Sequence, residues 1–179
     1  SLMSARNLAV EKLQRLAHRD ALTGLLNKQA FYQQSQDALT QCRLKHIPVS
    51  VIVLDIDHFK PINDTHGHHV GDLALSAITQ RISLALRDTD LCGRLGGEEF
   101  GILLPDCGAA QAHAVAERVR KSIALLPFSL DNQQQLTMTA SLGVATLEPS
   151  TLDLHALLRQ ADKALYEAKR AGRDQSFSY

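Results

Sequence analysis

Two adjacent carboxylates, Glu98 and Glu99, follow a pair of glycines, Gly96 and Gly97, near the middle of the chain. Apolar residues alternate weakly before this run and an apolar stretch begins after it, which predicts a β-hairpin with the acids at its tip. Glycines at such a turn allow a positive φ or the close approach of a ligand. Neighbouring carboxylates repel each other unless a cation or a basic group lies beside them. A cation-binding turn is one interpretation of the run, and a solvated turn with two incidental acids is the other.

A third carboxylate, Asp55, stands directly after residues 49–54, which form the cleanest β-branched and apolar stretch of the chain. This stretch predicts a central, buried strand. If the strand and the hairpin are neighbours in one sheet, Asp55 meets the two glutamates at one edge. With the backbone carbonyl of Ile56 they would form an oxygen site suited to Mg²⁺ bound with phosphates. Asp57 is left unassigned between this site and a turn, and a capping role is the alternative for Asp55 itself.

Four further polar residues have side chains that can bind the base or the phosphates of a nucleotide. Asn63 and Asp72 can read the edge of a guanine, since the carboxylate accepts from its N–H groups. The alternatives are a turn for Asn63 and the first turn of a helix for Asp72. Lys169 and Arg173 flank a glycine and suit the outer phosphates of a polyphosphate. The same two cations would also complement the C-terminal end of a helix.

The composition is that of a single globular domain and excludes several classes. Of the 179 residues, 45% are hydrophobic and 21% charged, which is enough to bury a full core. Lys and Arg together number 19, as do Asp and Glu, so charge gives no sign of a nucleic-acid polymer as partner. Three cysteines without a C-x-x-C pair argue against disulfides or zinc and favour a cytoplasmic location. No signal peptide is evident, and no apolar run reaches the roughly 18 residues of a membrane span.

Residues 1–19 and 20–179 are predicted to be a linker helix and a catalytic domain. The dipeptide at 1–2, ahead of a methionine, is typical of a tag remnant, so the chain is expected to be excised from a longer protein. That protein could carry a membrane anchor upstream. Residues 4–19 predict a helix with Ala9, Leu13 and Leu16 on one face. This spacing fits the stub of a coiled-coil signalling linker, and a helix packed on its own domain is the alternative.

Beyond residue 20, the hydrophobic periodicity changes repeatedly between helix and strand. It predicts helices at 28–45, 70–87, 108–126 and 152–171, strands at 49–54 and 136–147, and the hairpin at 91–104. This order predicts an α/β (α+β) fold in which helices cover a mostly antiparallel sheet.

Six motifs, in this order, resemble the GGDEF family, the diguanylate cyclases. They are D-x-L-T-G-L-x-N at 20–27, D-x-D-x-F-K-x-x-N-D at 55–64, G-H-x-x-G-D at 67–72, G-G-E-E-F at 96–100, T-x-S-x-G-V-A at 139–145 and A-D-x-A-L-Y-x-A-K-x-x-G-R at 161–173. The resemblance implies a palm-like domain similar to nucleotidyl cyclases, with a central five-stranded sheet. It further implies an enzyme that joins two GTP molecules into cyclic di-GMP and releases two pyrophosphates. Mg²⁺, or Mn²⁺ in its place, would be the cofactor.

The resemblance also implies partners. Each domain would hold one GTP, so turnover would require a homodimer of facing domains. The full-length protein would place a sensory or receiver domain upstream.

Carried over residue by residue, the resemblance assigns roles to the motif positions. The metal ligands would be Asp55, the Ile56 carbonyl, Glu98 and Glu99, with Glu99 also implicated in activating the 3′-hydroxyl. Lys60 would assist catalysis by neutralising charge with Lys169 and Arg173. The remaining substrate contacts would come from Phe59, Asn63, His68, Asp72, Gly96 and Gly97.

Arg87 and Asp90 form an R-x-x-D pattern, and five residues separate Asp90 from the glycine pair. This pattern resembles the family's inhibitory site for its own product, and Arg118 matches a secondary arginine of that site. An arginine can fork onto a phosphate or guanine and an aspartate can accept from a guanine edge. A charged helix end before a hairpin is the alternative interpretation.

Three positions depart from the family pattern: Lys28, Leu95 and Asp174 stand where Arg, an aromatic residue and Asn are common. None of these changes removes a metal, base-reading or phosphate residue. An active cyclase with product feedback is the leading hypothesis. The rivals are a module that binds cyclic di-GMP or GTP without turnover, and a dimerisation domain acting through its N-terminal helix.

Overall fold

The structure, a computed structural model, describes residues 2–125, 127–130 and 132–179. The described residues form six helices and seven strands. The helices are α1 (Leu2–His18), α2 (Lys28–Leu44), α3 (Phe59–His66), α4 (His68–Ala85), α5 (Ala109–Leu125) and α6 (Leu154–Arg170). The strands are β1 (Val49–Ile56), β2 (Leu91–Arg94), β3 (Glu99–Pro105), β4 (Phe128–Ser129), β5 (Gln135–Leu136), β6 (Ala140–Thr146) and β7 (Ser176–Ser178).

Five of these strands form one sheet in the order β2-β3-β1-β6-β7. The strand β1 lies at the centre and pairs antiparallel with both β3 and β6, whereas β7 is parallel to β6. The short strands β4 and β5 pair with each other in a separate hairpin. The predicted fold, a five-stranded and mostly antiparallel sheet covered by helices, is confirmed.

The two faces of β1 face two separate cores, because successive side chains of a strand point to opposite faces. Ile52 and Leu54 pack with α4 and α5 on one face. Val51 and Val53 pack with α2 and α6 on the other. All four are at most 1% exposed, so the register of β1 is fixed from both sides. Whatever follows β1 is therefore held at a defined place on the sheet edge.

The helix α6 approaches the sheet closely because β6 has a glycine at its centre. A Cβ atom built on Gly143 would lie 2.0 Å from the carbonyl oxygen of Ala161 and 2.4 Å from the nitrogen of Leu165. Both atoms belong to the backbone of α6, so they cannot rotate away. The glycine therefore sets the distance of α6 from the sheet, and with it the position of the helix end that carries Lys169.

Several predicted boundaries were wrong. Residues 59–66 form α3, whose proline at position 61 is tolerated because it lies in the first helical turn. Gly67, with a φ of 87°, separates α3 from α4, which begins two residues earlier than predicted. The strand predicted at 136–147 is divided into β5 and β6. The strand β7 was not predicted at all, because its three residues carry no periodicity of their own. The predicted end of the helix at 126 lies outside the described residues.

The helix α1 has no buried residue. Leu13 and Leu16, which belong to its predicted seam, are 64% and 69% exposed. The helix therefore buries none of its predicted seam against its own domain. No described helix is both long and apolar enough to cross a membrane.

We predict that Gly143→Ala destabilises the protein by about 3 kcal/mol, because the new methyl group would push α6 off the sheet. Chemical denaturation followed by circular dichroism measures this free energy of unfolding. Gly108→Ala is the matched control, because a Cβ atom at Gly108 meets nothing within 4 Å. Equal stabilities of the two variants would show that Gly143 does not set the distance between α6 and β6.

Candidate active site

The predicted acids meet at the end of β1. Asp55 lies opposite Glu99 of β3 on one side and opposite Ser141 of β6 on the other. The next residue, Ile56, donates its backbone N–H to the carbonyl oxygen of Glu98 at 3.2 Å. Residues separated by more than forty positions in the sequence are therefore adjacent at this edge. The sheet register alone brings them together.

A cation from α6 completes this edge. Lys169 donates from Nζ to Oδ2 of Asp55 at 2.5 Å, and the side chains are 34% and 18% exposed respectively. The ion pair is accessible to solvent on one side only. It joins the last turn of α6 to the end of β1 and neutralises one of the acids.

Seven of the predicted site residues line one small cavity of about 200 Å³. Its lining consists of Asp55, Ile56, Asp57, His58, Phe59, Lys60, Pro61, Glu98, Lys169 and Arg173. A larger cleft of about 560 Å³ beside α6 and β7 contains none of the predicted site residues. The small cavity is the candidate site, because the acids and cations converge there. Phe59 lines this cavity and also belongs to the core, and the residue is only 6% exposed.

Burial raises the pKa of the Glu99 carboxyl above its usual value, and the neighbouring charges of Asp162 and Asp55 raise it further. Lys169 and Lys28 act in the opposite direction but do not cancel the rise. Burial also raises the pKa of Asp162. The site is thus short of positive charge, which is the condition under which a cation binds to carboxylates. Sequence reasoning missed Asp162, although it lies within the quoted motif at 161–173.

Within the described ranges, no three His, Cys, Asp or Glu side chains converge closely enough to hold a metal by themselves. The donor set nevertheless suits Mg²⁺, which typically binds one or two carboxylates and completes its shell with water and substrate phosphates. Asp55, Glu98 and the carbonyl of Ile56 are all at the cavity wall. These residues fit a magnesium ion that arrives with a nucleotide.

Asp57, which the sequence left unassigned, is a structural residue. Its carboxylate is buried and accepts hydrogen bonds from the hydroxyls of Thr139 and Ser141, both at 2.7 Å. It also accepts from the backbone N–H of Asp174 at 3.0 Å. With three donors on its two oxygens, Asp57 ties β6 and the turn after α6 to the end of β1.

The two predicted guanine readers lie outside the small cavity, on α3 and α4. The Oδ1 atom of Asn63 is buried without a hydrogen-bond partner, a condition that costs about 1–3 kcal/mol. It lies against Gly71, where a Cβ atom would approach it to 1.8 Å. Asp72, beside that glycine, is exposed, as is His68 at the start of α4. An amide oxygen lacking a donor is compatible with a ligand that supplies one.

The glycine pair forms the turn between β2 and β3. Neither glycine has a positive φ, so the left-handed conformation is not what this turn requires. A Cβ atom at Gly97 would meet nothing within 4 Å, and one at Gly96 would only touch Glu99. The fold therefore leaves open space at Gly97, on the side where a ligand backbone or phosphate would have to approach.

Arg94, which sequence reasoning missed, holds this turn. It donates to the carbonyl oxygen of Gly96 at 3.1 Å and to that of Gly97 at 2.8 Å. Its guanidinium also pairs with Asp20 at 3.3 Å. Asp20 in turn accepts from the hydroxyl of Thr23 at 2.7 Å. The segment that follows α1 is therefore connected to the glycine turn. The only sequence signal was that Asp20 opens the motif at 20–27 and Arg94 lies just before the motif at 96–100.

The two residues of the R-x-x-D pattern, Arg87 and Asp90, form an ion pair with each other. Arg87 donates to both oxygens of Asp90, at 3.0 and 3.4 Å, and to the carbonyl oxygen of Pro105 at 2.7 Å. The Asp90 side chain is 2% exposed, whereas that of Arg87 is 51% exposed. Arg118 donates to the carbonyl oxygen of Ala85 at 2.6 Å. The structure thus brings the three residues to one region, with Asp90 turned inward.

The chain belongs to the GGDEF family: the family model described as "Diguanylate cyclase, GGDEF domain" matches residues 17–175. The probable diguanylate cyclase DgcC of Escherichia coli is 38% identical over 178 residues, covering 98% of this chain and 47% of the relative. The response regulator PleD of Caulobacter vibrioides is 39% identical over 160 residues, covering 89% and 35%. The chain thus spans less than half the length of these relatives.

Solved structures agree with this assignment. The coiled coil and GGDEF domain of DgcB from Caulobacter crescentus, in complex with c-di-GMP, superposes with a TM-score of 0.93 at 28% identity. The match covers 99% of this chain and 93% of that one. The likeness therefore includes α1 as well as the domain.

We predict that Arg94→Ala lowers the cyclase kcat/KM about 10- to 100-fold, because a displaced glycine turn misplaces Glu98 and Glu99. Steady-state assays of product formation measure the effect, with circular dichroism as a check on folding. Arg43→Ala is the matched control, since Arg43 donates to the carbonyl oxygen of Thr151, away from the site. Full activity of the Arg94 variant would contradict a positioning role.

Proposed function

We propose that this chain is a diguanylate cyclase domain that condenses two GTP molecules into cyclic di-GMP and two pyrophosphates. The observation that carries the proposal is the register at the sheet edge, where Asp55 lies opposite Glu99 and is paired with Lys169. Acids and a cation in this arrangement suit a nucleotide whose phosphates bring a metal ion. Family membership and the presence of both signature acids support the same conclusion.

In the proposed reaction, the 3′-oxygen of one GTP forms a bond to the α-phosphorus of the other. The bond between that phosphorus and the oxygen bridging to the β-phosphate breaks, and pyrophosphate leaves. The proton of the 3′-hydroxyl passes to a base at the site, for which Glu99 is suited because its pKa is raised. The same exchange, with the roles of the two nucleotides reversed, closes the ring.

The chain itself contributes positioning and charge, which supply most of the catalysis in phosphoryl transfer. Lys60, Lys169 and Arg173 line the cavity and would bind the outer phosphates. Asn63 and Asp72 would hold the guanine, and the open space at Gly97 would admit the nucleotide. Mg²⁺, held by Asp55, Glu98, Glu99 and the Ile56 carbonyl, would supply charge neutralisation at the phosphates.

Each domain offers one set of these groups, so the proposed reaction requires two copies facing each other. The fully exposed α1 supports such a pairing, because its apolar seam is left uncovered. A short helix of this kind is stable only when its seam is buried against a partner. We propose that α1 forms a parallel coiled coil that brings two domains together, under the control of an upstream domain.

Product inhibition through Arg87, Asp90 and Arg118 is a further part of the proposal. It is supported by their proximity and by the half-exposed guanidinium of Arg87. For Asp90 to accept from a guanine, its pair with Arg87 would have to open. We further propose a cytoplasmic location, where GTP and Mg²⁺ are available.

We predict that purified protein converts GTP to cyclic di-GMP with Mg²⁺ and that chelation of the metal stops the reaction. Glu99→Gln is expected to lower kcat by at least about a hundredfold. Chromatographic product analysis over a range of protein concentrations measures turnover, and a steep rise with concentration is expected from the dimer requirement. Glu167→Gln, an exposed acid on α6 outside the small cavity, is the matched control. If dimeric protein with bound GTP yields no product, the chain is a binding module.

We predict that Arg87→Ala raises the product concentration for half inhibition about tenfold, because a charge-assisted contact to the ligand is lost. Initial rates with added cyclic di-GMP measure this change, and Arg159→Ala, an exposed arginine on α6, serves as control. Unchanged inhibition in the Arg87 variant would mean that the R-x-x-D pair has only a structural role.

A further inference from the structure

The turn after α6 is unusual in its backbone. Three consecutive residues, Gly172, Arg173 and Asp174, have φ angles of 120°, 65° and 46°. A positive φ is easy for glycine but costs about 1–3 kcal/mol at other residues, and it persists only where surrounding contacts impose it. One of the two strained residues is Arg173, whose side chain lines the candidate active site. The contacts that impose this turn therefore also decide where Arg173 lies.

Backbone hydrogen bonds close the end of α6, among them one from the Arg173 N–H to the carbonyl oxygen of Ala168 at 3.1 Å. Two further contacts tie the turn to β1 and α5, and both act on Asp174. Its backbone N–H donates to Oδ2 of Asp57 at 3.0 Å. Its carboxylate accepts from the guanidinium of Arg120 at 2.8 Å. The first contact ties the turn to the end of β1, and the second ties it to α5. The departure from the family's common Asn at this position therefore creates an ion pair.

Arg120 is itself fixed. Its Nε donates to Oε2 of Glu117 at 2.5 Å, and its side chain is only 16% exposed. The same Glu117 oxygen accepts from the hydroxyl of Ser176 at 3.0 Å. The hydrogen bonds from Arg120 lower the pKa of Glu117, so this acid is ionised at neutral pH. Arg120 thus joins two carboxylates, one on its own helix and one on the turn.

The position of Arg120 is unexpected because α5 and α6 pack on opposite faces of the sheet. Lys169 reaches the cavity from α6 directly. Arg173 is held from the other side, by a helix that contributes no residue to the cavity lining. Within residues 2–125, 127–130 and 132–179, the Arg173 guanidinium has no ion-pair partner. Its charge is therefore available to a ligand.

We propose that Arg120 is a positioning residue that, by occupying the carboxylate of Asp174, holds Arg173 toward the outer phosphates of the substrate. This inference rests on the proposed function of the cavity as a GTP site. Without Arg120, the Asp174 carboxylate loses its partner and becomes free to attract the neighbouring guanidinium. Arg173 would then be drawn away from the phosphates, and the strained turn would lose its contact with α5.

The experiment compares Arg120→Ala with the wild type in steady-state turnover and in calorimetric binding of a non-hydrolysable GTP analogue and of GMP. We expect KM for GTP to rise about tenfold in Arg120→Ala, with a smaller change in kcat, a size typical of coupled ion-pair networks. Affinity for the analogue should fall by a similar factor. Affinity for GMP should not change, because GMP lacks the outer phosphates. Arg120→Lys, which keeps the charge, should recover part of the loss.

The route through Arg173 is tested in a double-variant cycle. In an Arg173→Ala background, Arg120→Ala should have no further effect on analogue binding. Asp174→Asn, which tolerates a positive φ but offers no carboxylate to attract Arg173, should keep the wild-type affinity for the analogue, and Arg120→Ala should have little further effect in that background. His113→Ala is the control, because it removes a 2.8 Å hydrogen bond to Ser178 in the same strand β7 without touching the turn.

An equal loss of analogue affinity with and without Arg173 would overturn the proposal, as would an equal loss for GMP. Analogue binding unchanged in Arg120→Ala would do the same, as would an equal loss from Arg120→Ala in the wild type and in the Asp174→Asn background. The affinity comparison needs no turnover. If the wild type binds the analogue but forms no cyclic di-GMP, the proposed catalysis fails while the positioning role is still decided by binding.

Discussion

The carboxylates at the end of β1 repel one another, and the surrounding fold must hold them in place. Asp55 and Glu99 lie opposite each other in the sheet, and burial together with neighbouring acids raises the pKa of Glu99. Only Lys169 forms an ion pair with Asp55 among the described residues. The close approach of these like charges is tolerated because apolar side chains on both faces fix the register of β1. Packing of the core thus holds together side chains whose charges repel one another.

Two turns border that site, and each is held by an arginine that does not itself line the cavity. Arg94 binds the carbonyl oxygens of the glycine turn and is anchored by Asp20. Arg120 binds Asp174 in the turn after α6 and is anchored by Glu117. Such support is needed because loops and turns are less rigid than the sheet they flank. Groups that bind a reacting nucleotide must nevertheless be placed with high precision.

The exposed helix α1 is connected to the candidate site through hydrogen bonds. Its polar contacts to the domain run through Asn27, whose amide donates to the carbonyl oxygen of Ala17 and whose backbone N–H donates to that of His18. The segment that follows pairs with β2, the strand that leads into the glycine turn. A change in how α1 associates would therefore act on the backbone close to the acids. This connectivity suits a domain whose activity depends on the arrangement of two copies.

The chemical groups, the family and the central strand could all be predicted from the amino-acid sequence. Signature acids and the apolar run of β1 are local features, and they were enough to predict a mostly antiparallel sheet with acids at its edge. The number of strands, five, came from the resemblance to the family. Boundaries failed where local signals were weak, as at α3, where a proline in the first turn concealed a helix, and at β7, which is too short to show a period.

The contacts between these groups could be seen only in the three-dimensional structure. It made Asp57 an internal acceptor rather than a ligand, closed Asp90 against Arg87, and showed that Arg94 and Arg120 hold the turns beside the site. The physical reason is that each of these roles depends on burial or on the distance between specific atoms. Lys169 and Asp55 are 114 positions apart, and no periodicity in the chain encodes a contact over that separation.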